Sequence, residues 1–375
     1  LRAKYTSTSF NNISQWKTSH SSRQVLNNGF GGHQILDHRE DWKRIAGGWE
    51  GEIFVYNDTV IKTFVASRSP MRNCLKFTRV PTRIPTEILV ALWLGGLGSE
   101  IHEVTEYMPV HGYFRTPATE TGLASWYFLT PYLESGSLKD LAKRLRPSGL
   151  TYRQLDLRFR PSLNRLLSAL EKMHDEHHLC HDDIKQGNIF VAGTPSMSDS
   201  RFEDNGNGFT HWILADFSNV RQVSHAYHSS LIWAMDSRQH RDCRINDAVR
   251  LMNTYPAFLR TASAGDDLVT FDEAFWSGGE RWSELYWSAV GKTLLGAMAA
   301  KVLRDKSLSL PPVAIDGFMV SNIGSRWFLC LPRSSCKVGN TGELDRGMRV
   351  TEDRARFFAG TAIFGVPQGQ CQGLS

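Results

Sequence analysis

The chain has 375 residues, 41% of them hydrophobic and 22% charged, and a net charge of +5. This is enough for two lobes around a substantial core, with a composition ordinary for a soluble globular protein. The longest apolar run, residues 88–94, is far too short to span a bilayer, so no membrane association is expected.

The one basic concentration holds Lys143, Arg144, Arg146, Arg153, Arg158 and Arg160, with Asp140 and Asp156 interrupting it. It reads as a solvated helix face, and no nucleic-acid partner is expected. Six cysteines (Cys74, Cys180, Cys243, Cys330, Cys336 and Cys371) are scattered, with no C-x-x-C pair and no zinc spacing. That favours a reducing compartment, hence an intracellular protein of cytoplasm or nucleus. The polar segment from Leu1 shows no secretory signal, and the missing initiator Met reads as a fragment or an incomplete gene model, with any earlier targeting segment left open.

Residues 1–38 are rich in Ser, Asn, Thr and Gln and read as a disordered polar arm. A glycine-rich turn at 47–51 then leads into an apolar strand ending at Tyr56. Asn57-Asp58 turns the chain, and 59–64 forms the second strand of a hairpin. Residues 66–83 are a polar insertion. Pro85 opens a strongly apolar helix over 86–94 that stops at Gly95-Gly96. Strand-like runs follow at 101–114 and 126–133, then a turn at Glu134-Ser135-Gly136-Ser137 and a short helix over 138–145.

Pro161 is expected to open the best helix of the chain, with Leu163, Leu166, Leu167, Leu170 and Met173 as one buried stripe. Two apolar strands then flank a polar insertion at 192–210, and a buried helix is expected over 247–259. Residues 313–320 and 326–331 look like a strand pair, and the last twenty or so residues look loose.

The most informative run is His181-Asp182-Asp183-Ile184-Lys185-Gln186-Gly187-Asn188. A carboxylate, an ammonium two residues later and an amide five later can orient a hydroxyl, neutralise a transferring phosphoryl group and hold a metal ion. The run closely resembles the catalytic loop of eukaryotic protein kinases, H-R-D-L-K-x-x-N, with Asp182 where the family has Arg. The resemblance covers about residues 42–260. It implies a bilobal α+β protein-kinase-like fold: a small β-rich N-lobe with one helix, and a larger, mainly helical C-lobe. The divisions it implies are N-lobe and hinge over 39–133, C-lobe over 134–305, and a divergent region over 306–375, packed on the C-lobe with a loose tail.

Site residues follow from the same resemblance. Asp183 and Lys185 are the expected catalytic residues, and Asn188 and Asp216 the expected magnesium ligands. Asp216 opens Asp216-Phe217-Ser218, where the family has D-F-G. Ser218 replaces the glycine, and Phe217 is expected beneath the helix that carries Glu87. Gly48, Gly51 and Ile53 fall on the phosphate-loop pattern, whose first glycine is replaced by Ala46. Lys62 is the expected phosphate-contacting lysine and Glu87 its ion-pair partner. In the hinge, Thr130 guards the back of the nucleotide pocket and backbone groups near Tyr132 and Leu133 meet adenine. Ile45, Val60 and Phe190 complete the nucleotide-binding set.

Where the family has A-P-E the chain reads Ala234-Met235-Asp236. Asp247, eleven residues further on, is the expected buried aspartate of the next helix.

The resemblance thus implies transfer of phosphate from ATP, with Mg2+, to Ser/Thr hydroxyls of a protein substrate. Two other readings stand beside it. One is a pseudokinase acting as a binding or scaffold module, favoured by the altered glycine loop, Asp182, Ser218 and Met235. The other is a small-molecule kinase of related fold, disfavoured by Lys185. Asp182 would repel a phosphate, so activity independent of activation-loop phosphorylation is expected.

Overall fold

In the computed structural model of the chain, the described residues are 29–30, 33–47, 51–64, 74–76, 83–97, 106–116, 125–192, 211–229, 240, 242–290 and 298–309. They form an α+β structure of two lobes, a small β-rich one with a single α-helix and a larger, mainly helical one.

The small lobe is built on β1 (Gly29–Phe30), β2 (Lys43–Gly47), β3 (Gly51–Tyr56), β4 (Thr59–Phe64), β7 (Gly112–Arg115) and β8 (Trp126–Pro131). A short separate ladder pairs β5 (Cys74–Lys76) with β6 (Arg83–Pro85). The main sheet is antiparallel, in the order β1-β7-β8-β4-β3-β2. The β3–β4 hairpin turns at Asn57, whose φ of 49° lies in the left-handed region that Asn tolerates.

One face of this sheet meets α1 (Thr86–Leu94), which is buried from Thr86 to Leu92. On the other face Ile61, Phe114, Tyr127 and Leu129 form a small cluster capped by Ile35, Leu36 and Trp42. The expected disordered arm is therefore ordered over its last part: Gly29–Phe30 pairs with β7, and a 3-10 turn runs over His33–Asp41. Ile35 and Leu36 are the apolar anchors responsible, and the Trp42 indole N–H donates to the Ile35 carbonyl at 3.1 Å.

The large lobe comprises α2 (Leu138–Leu145), α3 (Tyr152–Asp175), α4 (Cys243–Ala262), α5 (Leu268–Ser277), α6 (Arg281–Val290) and α7 (Ala299–Leu308). Its strands are β9 (Leu179–Cys180), β10 (Ile189–Ala192), β11 (His211–Leu214) and β12 (Arg221–Gln222). Ser137 caps α2 in a reciprocal box with Asp140.

The expectation that Pro161 opens α3 is corrected. The helix starts at Tyr152 under a second capping box, Thr151 with Gln154, and carries Pro161 inside. Proline removes one helical hydrogen bond. Leu157, four residues back, is 70% exposed, so water can serve the carbonyl left over. The expected stripe from Leu163 to Met173 is buried. The second buried helix begins at Cys243 under an Asp242 cap, ahead of the expected 247, and runs on to Ala262. The end of the C-lobe expected at 305 falls inside α7.

The cysteine reading also needs correction. Cys180, at the end of β9, is joined to Cys243, the first residue of α4, with Cα atoms 6.0 Å apart across 63 positions of sequence. The fold brings them together where no local spacing announces it, so the argument for a reducing compartment loses its basis. Among the described residues no helix is long and apolar enough to cross a membrane. Gly48, residues 193–210 of the polar insertion, Ala234-Met235-Asp236, the 313–331 strand pair and the tail lie outside the described residues.

Candidate active site

Lys62 lies in the middle of β4, opposite Ile53 on β3 and Phe128 on β8. Its ammonium meets the Glu87 carboxylate at 2.5 Å and stands 3.7 Å from Asp216. Glu87 occupies the first turn of α1, where a carboxylate complements the helix N-terminus. Its neighbours on α1 are apolar and buried, so the lysine is the partner that makes its burial tolerable.

The glycine loop is made tight by Gly51. A Cβ there would lie 1.6 Å from the Thr63 carbonyl oxygen, so only glycine fits this strand crossing. Ile45 on β2 is 47% exposed and Ile53 half-buried. Val60 pairs with Thr130 across β4 and β8. Beyond β8, the Tyr132 amide donates to the Asp58 carbonyl at 2.8 Å, while Leu133 is buried and its carbonyl accepts from Gly136. The Tyr132 amide is thus engaged within the protein. Phe190 is half-buried on β10, packs against the core and bridges to Ser137.

The loop between β9 and β10 carries the second half of the site. His181 is buried; its Nε2 faces the Ala215 carbonyl at 3.1 Å, and its Nδ1 accepts the Asp183 amide at 3.3 Å. Asp247 on α4 accepts the amides of both His181 and Asp182, at 2.6 and 2.9 Å, fixing the loop to the helical lobe as expected. Side-chain donors converge on a single oxygen of Asp183, Oδ2: Lys185 at 2.7 Å, Asn188 at 3.2 Å and Asn219 at 3.3 Å. Asn188 is buried, and its amide nitrogen also donates to the Asp183 carbonyl at 2.9 Å.

Asn188 and Asp216 sit on either side of one ladder. β10 pairs with β11 from Ile189 opposite Leu214, and the Ala215 amide donates to the Asn188 carbonyl at 2.9 Å. Asp216 follows directly, in a left-handed conformation with φ of 60°. Burial pushes its carboxyl up, but Lys62, then Lys185 and the Ser218 hydroxyl, outweigh that and bring it down to about 2. Phe217, buried, packs under α1 as expected and contacts the rings of Tyr107 and His181. An ionised carboxylate and an amide oxygen are hard oxygen donors of the kind magnesium takes.

Three residues were not anticipated: Arg221, His228 and Asn219. Asp182 is buried in a left-handed turn with φ of 63° and accepts from Arg221 Nη1 at 2.8 Å. His228 Nε2 stands 2.8 Å from the same oxygen. Burial raises the Asp182 carboxyl, but His228 and Arg221 prevail and hold it well below the usual carboxylate range. Asn219 is the third. The reversed charge of Asp182 was the available signal, because a buried carboxylate needs a cation and the next basic residue after Asp216 is Arg221.

Fold and site together make a bilobal α+β architecture, a β-rich lobe with one helix beside a mainly helical lobe, with the clustered side chains contributed by both. Among solved structures the chain is similar to the kinase domain of PknI from Mycobacterium tuberculosis in two double-mutant forms. Each is 14% identical, and the match covers 71% of this chain and 94% of that one, with TM-scores of 0.40 and 0.41. No family model and no curated protein matches the sequence.

Proposed function

We propose that the protein is an ATP- and magnesium-dependent phosphotransferase of the eukaryotic protein kinase type, acting on Ser or Thr hydroxyls of a protein substrate. The observation that carries this is the joining of two half-sites. The Lys62–Glu87 pair reaches Asp216 at 3.7 Å, and Asp216 follows the ladder that begins at Asn188, beside Asp183 and Lys185.

In this reading Lys62, oriented by Glu87, meets the inner phosphates. Asn188 and Asp216 would hold the magnesium ion, which neutralises charge on the phosphate oxygens when bound. The three donors on Asp183 Oδ2 leave Oδ1 to accept the proton of the attacking hydroxyl. Lys185, which donates to the same carboxylate at 2.7 Å, would stabilise charge on the transferring phosphoryl group. Lys185 in place of His or Asn favours protein hydroxyls over small molecules.

The scaffold alternative draws on one observation. The Ser218 hydroxyl donates to Asp216 Oδ1 at 2.8 Å, on the carboxylate a metal would need. One assay separates the readings: labelled ATP, magnesium and mixed protein substrates, with Asp183→Asn and Asp216→Asn as controls. Transfer to protein that both substitutions abolish supports the phosphotransferase. Nucleotide binding without transfer, or no binding, supports the scaffold.

A further inference from the structure

The residues around Asp182 connect to the proposed base by an unbroken path. Arg221 Nη1 donates to Asp182 Oδ2 at 2.8 Å and to the Asn219 carbonyl at 3.0 Å. The Asn219 amide nitrogen donates to Asp183 Oδ2 at 3.3 Å. Asp182 and Asp183 are adjacent, so the path closes into a ring: carboxylate, guanidinium, backbone carbonyl, side-chain amide, carboxylate. Arg221 is held in place on its other sides too. Its backbone pairs with Cys180 between β12 and β9, and its guanidinium lies over the Tyr227 ring at 4.6 Å.

His228 adds a second clasp. Its Nδ1 faces the Val223 carbonyl at 3.1 Å and its Nε2 faces Asp182 at 2.8 Å. Both partners are acceptors, so each ring nitrogen of His228 faces an oxygen. Asp182 therefore grips the chain at Arg221 and at His228, on either side of Tyr227. All three gripping side chains are less than a tenth exposed. A buried pair of this kind adds little net stability, because desolvating both charges costs about as much as their attraction returns. What it supplies is one defined arrangement of the segment that follows Asp216.

We propose that the Asp182–Arg221 pair latches residues 219–228 onto the catalytic loop, and that through it Asn219 acts as a positioning residue for the Asp183 carboxylate. The catalytic half of this inference rests on the phosphotransferase reading; the latch itself is read without any activity.

Amide hydrogen exchange over residues 219–228 decides the latch, in the full chain with Asp182→Asn, Arg221→Gln and the double variant. Each single substitution is expected to speed exchange there by about tenfold or more. The double should be no faster than Asp182→Asn alone, because that substitution already removes the bond to Arg221 along with that to His228. Unchanged exchange in the singles, or independent multiplication in the double, overturns the latch. Asp182→Asn keeps side-chain shape, Arg221→Gln keeps a shorter polar chain, and Asn219→Ala removes only the last link.

Asn219→Ala should leave exchange over 221–228 as in wild type. It should lower kcat for protein phosphorylation about tenfold with KM for ATP unchanged. Unaltered kcat, or a loss confined to KM, overturns the positioning role. If the wild-type protein transfers no phosphate, the phosphotransferase reading and the positioning role fall together, and the exchange result still decides the latch.

Discussion

Two ion pairs hold the site, and they differ in what surrounds them. Lys62–Glu87 spans sheet and helix with 15% and 5% of its side chains exposed, and its ammonium leans towards a third charged group, Asp216. Asp182–Arg221 is exposed by 1% and 3% and packed against a backbone carbonyl, an aromatic ring and a histidine. On the proposed reading the first pair exchanges one partner for a ligand's charge; the second is enclosed by the protein, with Asp182 Oδ1 and Arg221 Nε left without a hydrogen bond. Opposite charges at hydrogen-bond distance thus serve two purposes in one site. On the proposed reading one pair receives and the other fixes.

The largest expected effect falls between the two pairs. Asp183→Asn removes the proposed base while both pairs survive, so protein phosphorylation should drop by about 10²- to 10⁴-fold with nucleotide affinity retained. A steady-state assay paired with calorimetric nucleotide titration checks this. Retained turnover would detach the loop from the chemistry altogether.

Next in size is the receiving pair. Lys62→Met strands Glu87 in an apolar helix and should destabilise the fold by about 3–5 kcal/mol, read by urea unfolding. Adding Glu87→Leu should recover most of that stability without restoring nucleotide binding. Recovery of both would mean that Lys62 is structural only, and the contrast between the pairs would collapse.

The fixing pair has a pH signature. Its carboxylate is depressed on folding, so it contributes stability that is fully present above the ordinary aspartate range and fades as pH falls below about 4. Asp182→Asn carries no such proton. Its stability should therefore change less than the wild type's as pH falls from about 4 towards 2, measured by chemical unfolding at each pH. Parallel curves would show that Arg221 and His228 do not hold the carboxylate ionised.

Much of this site is legible in the sequence because its residues are bound to local patterns. The α1 boundaries at Thr86 and Leu94 follow from Pro85, an apolar run and Gly95-Gly96. Asp183, Lys185 and Asn188 meet because one short loop carries them, and Asp216 joins them because it ends an apolar strand. What stayed hidden depends on partners far along the chain. Cys180 and Cys243 are neighbours only after α4 has docked. His228 reaches Asp182 across 46 positions, through a turn that no hydrophobic period marks. Pro161 misleads because it can open a helix or sit within one. The Thr151–Gln154 capping box ten residues earlier was the stronger signal.

The smallest expected effect is none, and it tests the fixing pair most directly. A phosphate on the segment after Asp216 would bring a charge of about −1.5 to −2. To act through this loop it would have to take over the cations that face Asp182. Arg221 Nη1 already meets both the Asp182 carboxylate and the Asn219 carbonyl, and His228 has an acceptor at each ring nitrogen. An incoming phosphate would have to displace a buried carboxylate of its own sign. Phosphatase treatment, verified by intact mass, should therefore leave the rate of protein phosphorylation unchanged. A tenfold loss on treatment would mean that Asp182 does not supply the charge that fixes the segment, and that the two pairs are alike in depending on charge from outside the chain.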